Sequence, residues 1–321
     1  MNKITPLPID NIKTYSLKTR KSKVNVNDFA SPWTKSGGIK KWLESLPDIL
    51  AGKQIKEIVS RFVKAASSDK TIIIGMGGHV IKVGLAPVII DLMDRRIIKG
   101  IAMNGACIIH DSEIAMVGQT SEDVAEELGR GEFGMAEETG RYINNAIAEG
   151  YKKGMGLGRA VGAMLTKNSF PFNRYSILAR AYELDIPVTV HVAIGTDIIH
   201  FHRDANGAAI GATSHLDFRI FSRLISSING GIYINLGSAV ILPEVFLKAL
   251  TLVRNLGYNV KDFTTVNMDF IQHYRPTTNV VHRPTMEGGK GYQLTGHHEL
   301  MFPLIAALVI EAMETVKETD S

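Results

Sequence analysis

The chain has 321 residues, 45% of them hydrophobic and 21% charged, which is long enough to bury a substantial core. Its 36 basic and 32 acidic residues leave a formal net charge of +4, a near-balance that argues against nucleic acid as a partner. The single cysteine, Cys107, excludes an internal disulfide framework. With no basic-then-apolar leader and no apolar run long enough for a bilayer, the expectation is a cytoplasmic protein without a membrane partner.

Residues 1–35 are irregular and carry Pro6, Pro8, Pro32 and the basic cluster Lys18, Arg20, Lys21 and Lys23, which reads as a solvated arm. Ile39, Leu43, Leu50, Ile55, Ile58, Val59 and Phe62 recur at near-helical spacing over 38–67, broken near Pro47 and Gly52. An apolar, β-branched strand at 71–75 runs into Gly77 and Gly78, then into a helix at 80–93 that Pro87 should kink. A second strand at 97–102 ends at Met103, Asn104 and Gly105. The next segment, ACIIHDSE, holds a serine able to cap a helix, and the weakly patterned run to Gln119 can equally be loop.

Residues 122–128 are short and acidic, and helices are expected at 133–147, 157–165 and 175–182. A strand at 186–192 precedes a polar, histidine-rich loop at 195–214. Then come a helix at 216–228, a strand at 231–235, the turn Leu236-Gly237-Ser238, a helix from about Pro243 to Leu256 and a strand at 262–268. The stretch 269–296 has two prolines and four glycines and should be a long loop without another regular element. A helix at 299–316 closes the chain. Strands alternating with helices favour an α/β protein with a mostly parallel sheet covered on both faces. No clean linker interrupts the pattern, so the expectation is a single domain over 1–321.

In such a sheet, ligands gather where strands end and loops begin. Five places qualify, at 77–79, 104–111, 191–202, 237–238 and 267–273. Gly77 and Gly78 would let backbone approach a ligand, yet Val80 stands where the last glycine of a GxGxxG fingerprint belongs, so a tight turn explains them as well. His79, His110, His191, His200, His202, His297 and His298 fall near strand ends, accompanied by Asp111, Glu113, Asp197 and Glu299. These types suit a metal site or general acid–base work, although no HExxH or CxxC spacing assigns a metal. Lys290, in GGKGY, suits a nucleophile or a phosphate contact if desolvated, and a solvated loop lysine otherwise.

Several segments carry a family likeness: GMGGHVIKVGLAP, MNGACIIHDSE, LGRGEF, IPVTVHVAIGTD, GGIYINLGSAVILPEVFLKALTLVRN, VNMDF and HHELMFPLIAALVIEAM. Over about residues 70–315 the chain resembles the deoxyhypusine synthase family, more closely its divergent bacterial members. The resemblance implies a Rossmann-like fold, homotetramers built from tight dimers, and active sites at the dimer interface. It implies NAD as cofactor, a small amine substrate such as spermidine, and transfer of an aminobutyl group through a lysine imine to a protein lysine or a small amine.

On that likeness Gly77, Gly78, His79, Asn104, Gly105, Ala106, Asp197, Gly237, Ser238, Asn267 and His297 face the cofactor. Lys290 matches the imine-forming lysine, and His110 and His200 join it as candidate catalytic groups. The chain departs from the family's pattern in one direction. His79 stands for asparagine, Ile108 and Ile109 stand for paired acids, Gly195 and His200 lie nearest to two aspartates, Pro243 lies near an expected histidine, and His297 stands for an aspartate. A dicationic polyamine wants carboxylates. Altered chemistry at a histidine-rich, possible metal site, or a non-catalytic homologue, therefore stands beside the transferase as an expectation.

Overall fold

Isoleucines 72 to 74 with Gly75 and Met76 make β1 (Ile72–Met76), every residue of which is buried. A strand apolar on both sides needs a layer on each face, and the sheet has both. The computed structural model describes residues 4–35 and 37–319. Within the arm the regular pieces are two single 3-10 turns, Leu17–Thr19 and Val26–Asp28. Helices α1 (Gly38–Ser45) and α2 (Leu50–Ser67) precede β1.

After β1 the expected kinked helix is instead two helices, α3 (His79–Lys82) and α4 (Ala86–Asp94). Gly84, at φ 79°, makes the break between them, and Pro87 sits in the first turn of α4, where its missing N–H costs nothing. Strand β2 (Gly100–Asn104) leads directly into α5 (Gly105–Val117). The ambiguous segment is thus fully helical, and its cap is the Asn104 side chain, which accepts from the Cys107 N–H, rather than the serine. Helices α6 (Val124–Leu128), α7 (Glu137–Lys152), α8 (Leu157–Asn168) and α9 (Ile177–Leu184) follow.

Strand β3 (Val188–His191) precedes α10 (Gly207–Ser226), which absorbs the second half of the expected polar loop because Asn206 caps it. Then come β4 (Ile232–Leu236), α11 (Ile241–Asn255) and β5 (Thr264–Asp269). The expectation of a structureless 269–296 is wrong. It holds a helical turn α12 (Tyr274–Pro276), a π-helical stretch (Thr277–His282) and a sixth strand, β6 (Lys290–Thr295). Tyr292 and Leu294 alternate inward along that edge strand, a pattern too short to outweigh its glycine-rich lead. Helix α13 (His298–Thr319) closes the chain.

The strand order is β3-β2-β1-β4-β5-β6 and every neighbouring pair is parallel. That is the Rossmann-like order, and its direction reverses between β1 and β4. Alternate residues serve the two faces. Ile74, Met76, Ile101, Met103, Ile234 and Leu236 join the cluster formed with α2, α4, α5 and α13. Ile73, Ala102 and Tyr233 face α10 and α11, where the Tyr233 and Phe246 rings stack 3.9 Å apart. Among the described residues no helix is long and apolar enough to cross a membrane.

Candidate functional site

The loops after β1 and β4 meet at the switch point. Gly77 N–H donates to the Leu236 carbonyl at 3.1 Å, and Gly237 N–H donates to the Met268 carbonyl at 3.1 Å. Gly75 near the end of β1 and the two glycines of the turn each answer to protein atoms. A Cβ on Gly75 would lie 2.1 Å from the Tyr233 hydroxyl, and one on Gly77 would lie 2.4 Å from the Gly237 carbonyl oxygen. A Cβ on Gly78 would come within 3.1 Å of Ala106 and of the His110 ring. The turn is therefore closed by neighbouring loops, and the open space lies to one side of it.

That space is a cavity of about 210 Å³ at the carboxyl ends of β1, β2 and β3. Lys82 comes from α3, Ala106, His110 and Glu113 from α5, Glu122 from the loop before α6, and Asp197 from the loop after β3. Asp197 packs over Gly105, where a Cβ would meet its carboxylate at 2.0 Å. Its Oδ2 is buried without a hydrogen-bond partner, and burial pushes its carboxyl above the ordinary aspartate range. His200 Nε2 is likewise buried and unpartnered, 3.9 Å from that oxygen, while its Nδ1 accepts from the Gly195 N–H at 3.1 Å. His110 Nδ1 lies 2.7 Å from the Thr120 hydroxyl, and burial with help from Lys82 pushes the His110 imidazole down to about 4. Lys82, Thr120 and Glu122 escaped the sequence reading; only the helical offset of Lys82 from Gly78 pointed to it.

The remaining candidates divide. Asn267 accepts from the Asn235 side-chain amide at 2.7 Å and donates to Gln272 at 2.7 Å, so its amide is committed to cross-strand structure. Ser238 Oγ accepts from Leu242 N–H in the first turn of α11. His79 is exposed and lies edge-on to His298, with ring centroids 5.3 Å apart. At the last helix the inward histidine is His298, 1% exposed against Gly237, whereas His297 is 69% exposed beside Glu299. His191 is buried against Phe221 and bonds to Thr189, and His202 bonds to the Gly134 carbonyl. The histidines do not converge: among the described residues no group of three or more His, Cys, Asp or Glu could hold a metal ion.

Lys290 stands apart from all of these. It opens β6, whose six residues put it roughly 16 Å from the carboxyl end of the sheet. Its ammonium pairs with Glu57 of α2, which also accepts from the Tyr292 hydroxyl at 2.7 Å. The register Thr264↔Lys290 fixes it at the amino end, opposite the crevice.

No family model matches the sequence, and no curated protein matches it. Solved structures do resemble the fold. A deoxyhypusine synthase candidate from Entamoeba histolytica is similar with a TM-score of 0.52 at 15% identity, over 94% of this chain and 98% of that one. A candidate LOR/SDH protein from Methanococcus maripaludis S2 is similar with a TM-score of 0.50 at 15% identity, over 89% of this chain and 72% of that one. ArgZ, an arginine dihydrolase of the cyanobacterial ornithine–ammonia cycle, is similar with a TM-score of 0.50 at 15% identity over 82% of this chain. The chain spans about a third of ArgZ, 33% of its length. At these identities the likeness shows a Rossmann-like fold.

Proposed function

We propose that the chain is a nucleotide-cofactor enzyme, with NAD as the cofactor, acting on a small amine at the carboxyl ends of β1 to β3. One observation carries this reading: Asp197, whose Oδ2 is buried without a partner, lines a cavity beside the switch point. A buried carboxylate oxygen without a donor is costly, and a ligand hydroxyl or ammonium relieves it. A ribose hydroxyl supplies that donor, so Asp197 and the neighbouring Ala106 would hold the sugar of a dinucleotide. A bound NAD would supply a hydride acceptor for the carbon bearing the amine. The chain's part is to bind and orient that amine. Asp197, Glu113 and Glu122 outnumber Lys82 around the cavity, which favours a cation.

The aminobutyl-transfer route of the resembling family needs a lysine beside the substrate. In this reading that lysine is Lys82, which lines the cavity, and not Lys290. Exposed apolar side chains beyond the carboxyl ends of the strands, among them Ile194, Phe201, Val240, Phe270, Ile271 and Leu300, support a second copy of the chain over this face. Light scattering of the purified protein reads that assembly, and a monomer would remove it. The functional test is calorimetric titration with NAD in the wild type and in Asp197→Asn. Binding that weakens about tenfold or more in the variant supports the reading; no binding, or equal binding, overturns it. Appearance of reduced nicotinamide absorbance on adding small amines tests the substrate class.

A further inference from the structure

Two neighbouring hydrogen bonds decide which nitrogen of His110 carries its proton. Thr120 has one hydroxyl proton and donates it to the Glu113 carboxylate at 2.5 Å. The same oxygen lies 2.7 Å from His110 Nδ1. With its proton committed, that oxygen can only accept, so Nδ1 must be the donor. Thr139, on α7, donates to the other Glu113 oxygen at 2.9 Å and restrains the carboxylate's rotation. Nε2 makes no hydrogen bond to any described residue, and the ring edge that carries it lies against Gly78.

We infer that Glu113 and Thr120 lock His110 in the Nδ1–H tautomer, so that it faces the cavity as a neutral hydrogen-bond acceptor for a ligand N–H group. Glu113 and Thr120 are positioning residues that act through the imidazole. The charged groups around the ring are Lys82 from α3, Glu113 from its own helix, Glu122 from the loop before α6 and Asp197 from the loop after β3. Lys82 and the ring's own burial both oppose the imidazolium, so the lone pair stays free at neutral pH. His110 Nε2 is then an unfilled acceptor on a residue lining the same cavity as Asp197. Such a site selects donors and rejects carboxylates, whose lone pairs would face lone pairs. The tautomer stands on the geometry alone; the identity of the donor as an amine rests on the function proposed above.

Imidazole nitrogen NMR of the full chain, labelled at histidine, tests both parts. His110→Gln assigns the signal. The wild type should show the Nδ1–H pattern at neutral pH. Thr120→Val should lose it, and Thr120→Ser should restore it. A wild-type Nε2–H pattern, or an unchanged pattern in Thr120→Val, overturns the lock, and the wild-type spectrum decides even if the valine variant does not fold. Butylammonium chloride should move the Nε2 resonance and sodium butyrate should not. A locked ring that butylammonium leaves unmoved would overturn the amine reading while the tautomer assignment stands.

Discussion

The Lys290 ammonium lies 2.5 Å from the Glu57 carboxylate, across the contact between β6 and α2 at the amino end of the sheet. Hydrogen bonding to Lys290 and Tyr292 holds the Glu57 carboxyl below its ordinary value, and the same pair raises Lys290. Both effects favour a permanently charged lysine, the opposite of what a nucleophilic amine needs.

Lys290→Ala should therefore leave NAD and amine binding unchanged. The side chains are 49% and 30% exposed, so solvent screens the pair and the variant should lose at most about 1 kcal/mol of stability. Denaturant unfolding with parallel ligand titration checks this. A large loss of binding without unfolding would mean that the amino end of the sheet takes part in the site.

Gly77→Ala should be among the more damaging single changes in the chain. Its Cβ would sit 2.4 Å from the Gly237 carbonyl oxygen, and backbone cannot turn aside as a side-chain end can. Separating the loops after β1 and β4 would also loosen the bond from Gly77 N–H to Leu236. A loss of roughly 2–4 kcal/mol is expected, read from chemical denaturation. Gly207→Ala makes the control, since open space surrounds that glycine in the first turn of α10. Equal stability of the two variants would refute the close approach as the reason for Gly77.

Stability should fall as pH rises through the weakly acidic range. Burial pushes the Asp217 carboxyl up to about 7 and the Asp111 carboxyl up to about 6, from an ordinary 3.8. Between those values the folded chain holds protons that the unfolded chain has released, so folding is favoured on the acid side and this contribution is gone above the folded values. At about 1.4 kcal/mol per pH unit, Asp217 alone sets an upper bound on the order of 4 kcal/mol. Its Oδ2 accepts from the Gly158 and Val190 N–H groups, while Oδ1 has no partner. Asp217→Asn keeps an acceptor for both amides and removes the titration, so its melting temperature should vary less from about pH 4 to pH 8. Coincident pH profiles for variant and wild type would rule Asp217 out as the source. Asp111 cannot be replaced so lightly, because it accepts from Ser176 and from the first N–H groups of α9.

Much of the fold was legible in the chain because its signals are local. The β-branched run at 72–74, the mostly apolar run at 232–236 and the apolar stripes of α2 and α13 announce buried strands and amphipathic helices without reference to anything distant. The capping role of Asn104 was equally local in cause, yet the weak patterning behind it hid the helix. Strand β6 was not legible. Its six residues are held by pairing with β5, a neighbour in space whose presence no local pattern reports.

For the same reason, the sequence by itself determined an alternating α/β chain with glycines after its first strand and histidines near its loop ends. Which of those residues share a site was left to tertiary structure. Parallel register carried Lys290 to the amino end, and packing at the start of α13 buried His298 while leaving His297 exposed. Helix α5 and the loops around it gathered His110, Glu113 and Asp197 about one cavity, with Thr120 hydrogen-bonded to the first two. The glycines of the first turn, which look like a ligand's cradle when read alone, are required by Tyr233, Gly237 and His110, side chains and backbone brought there only when the sheet closes. Proximity among residues far apart in the chain is set by packing, and packing is a property of the whole fold.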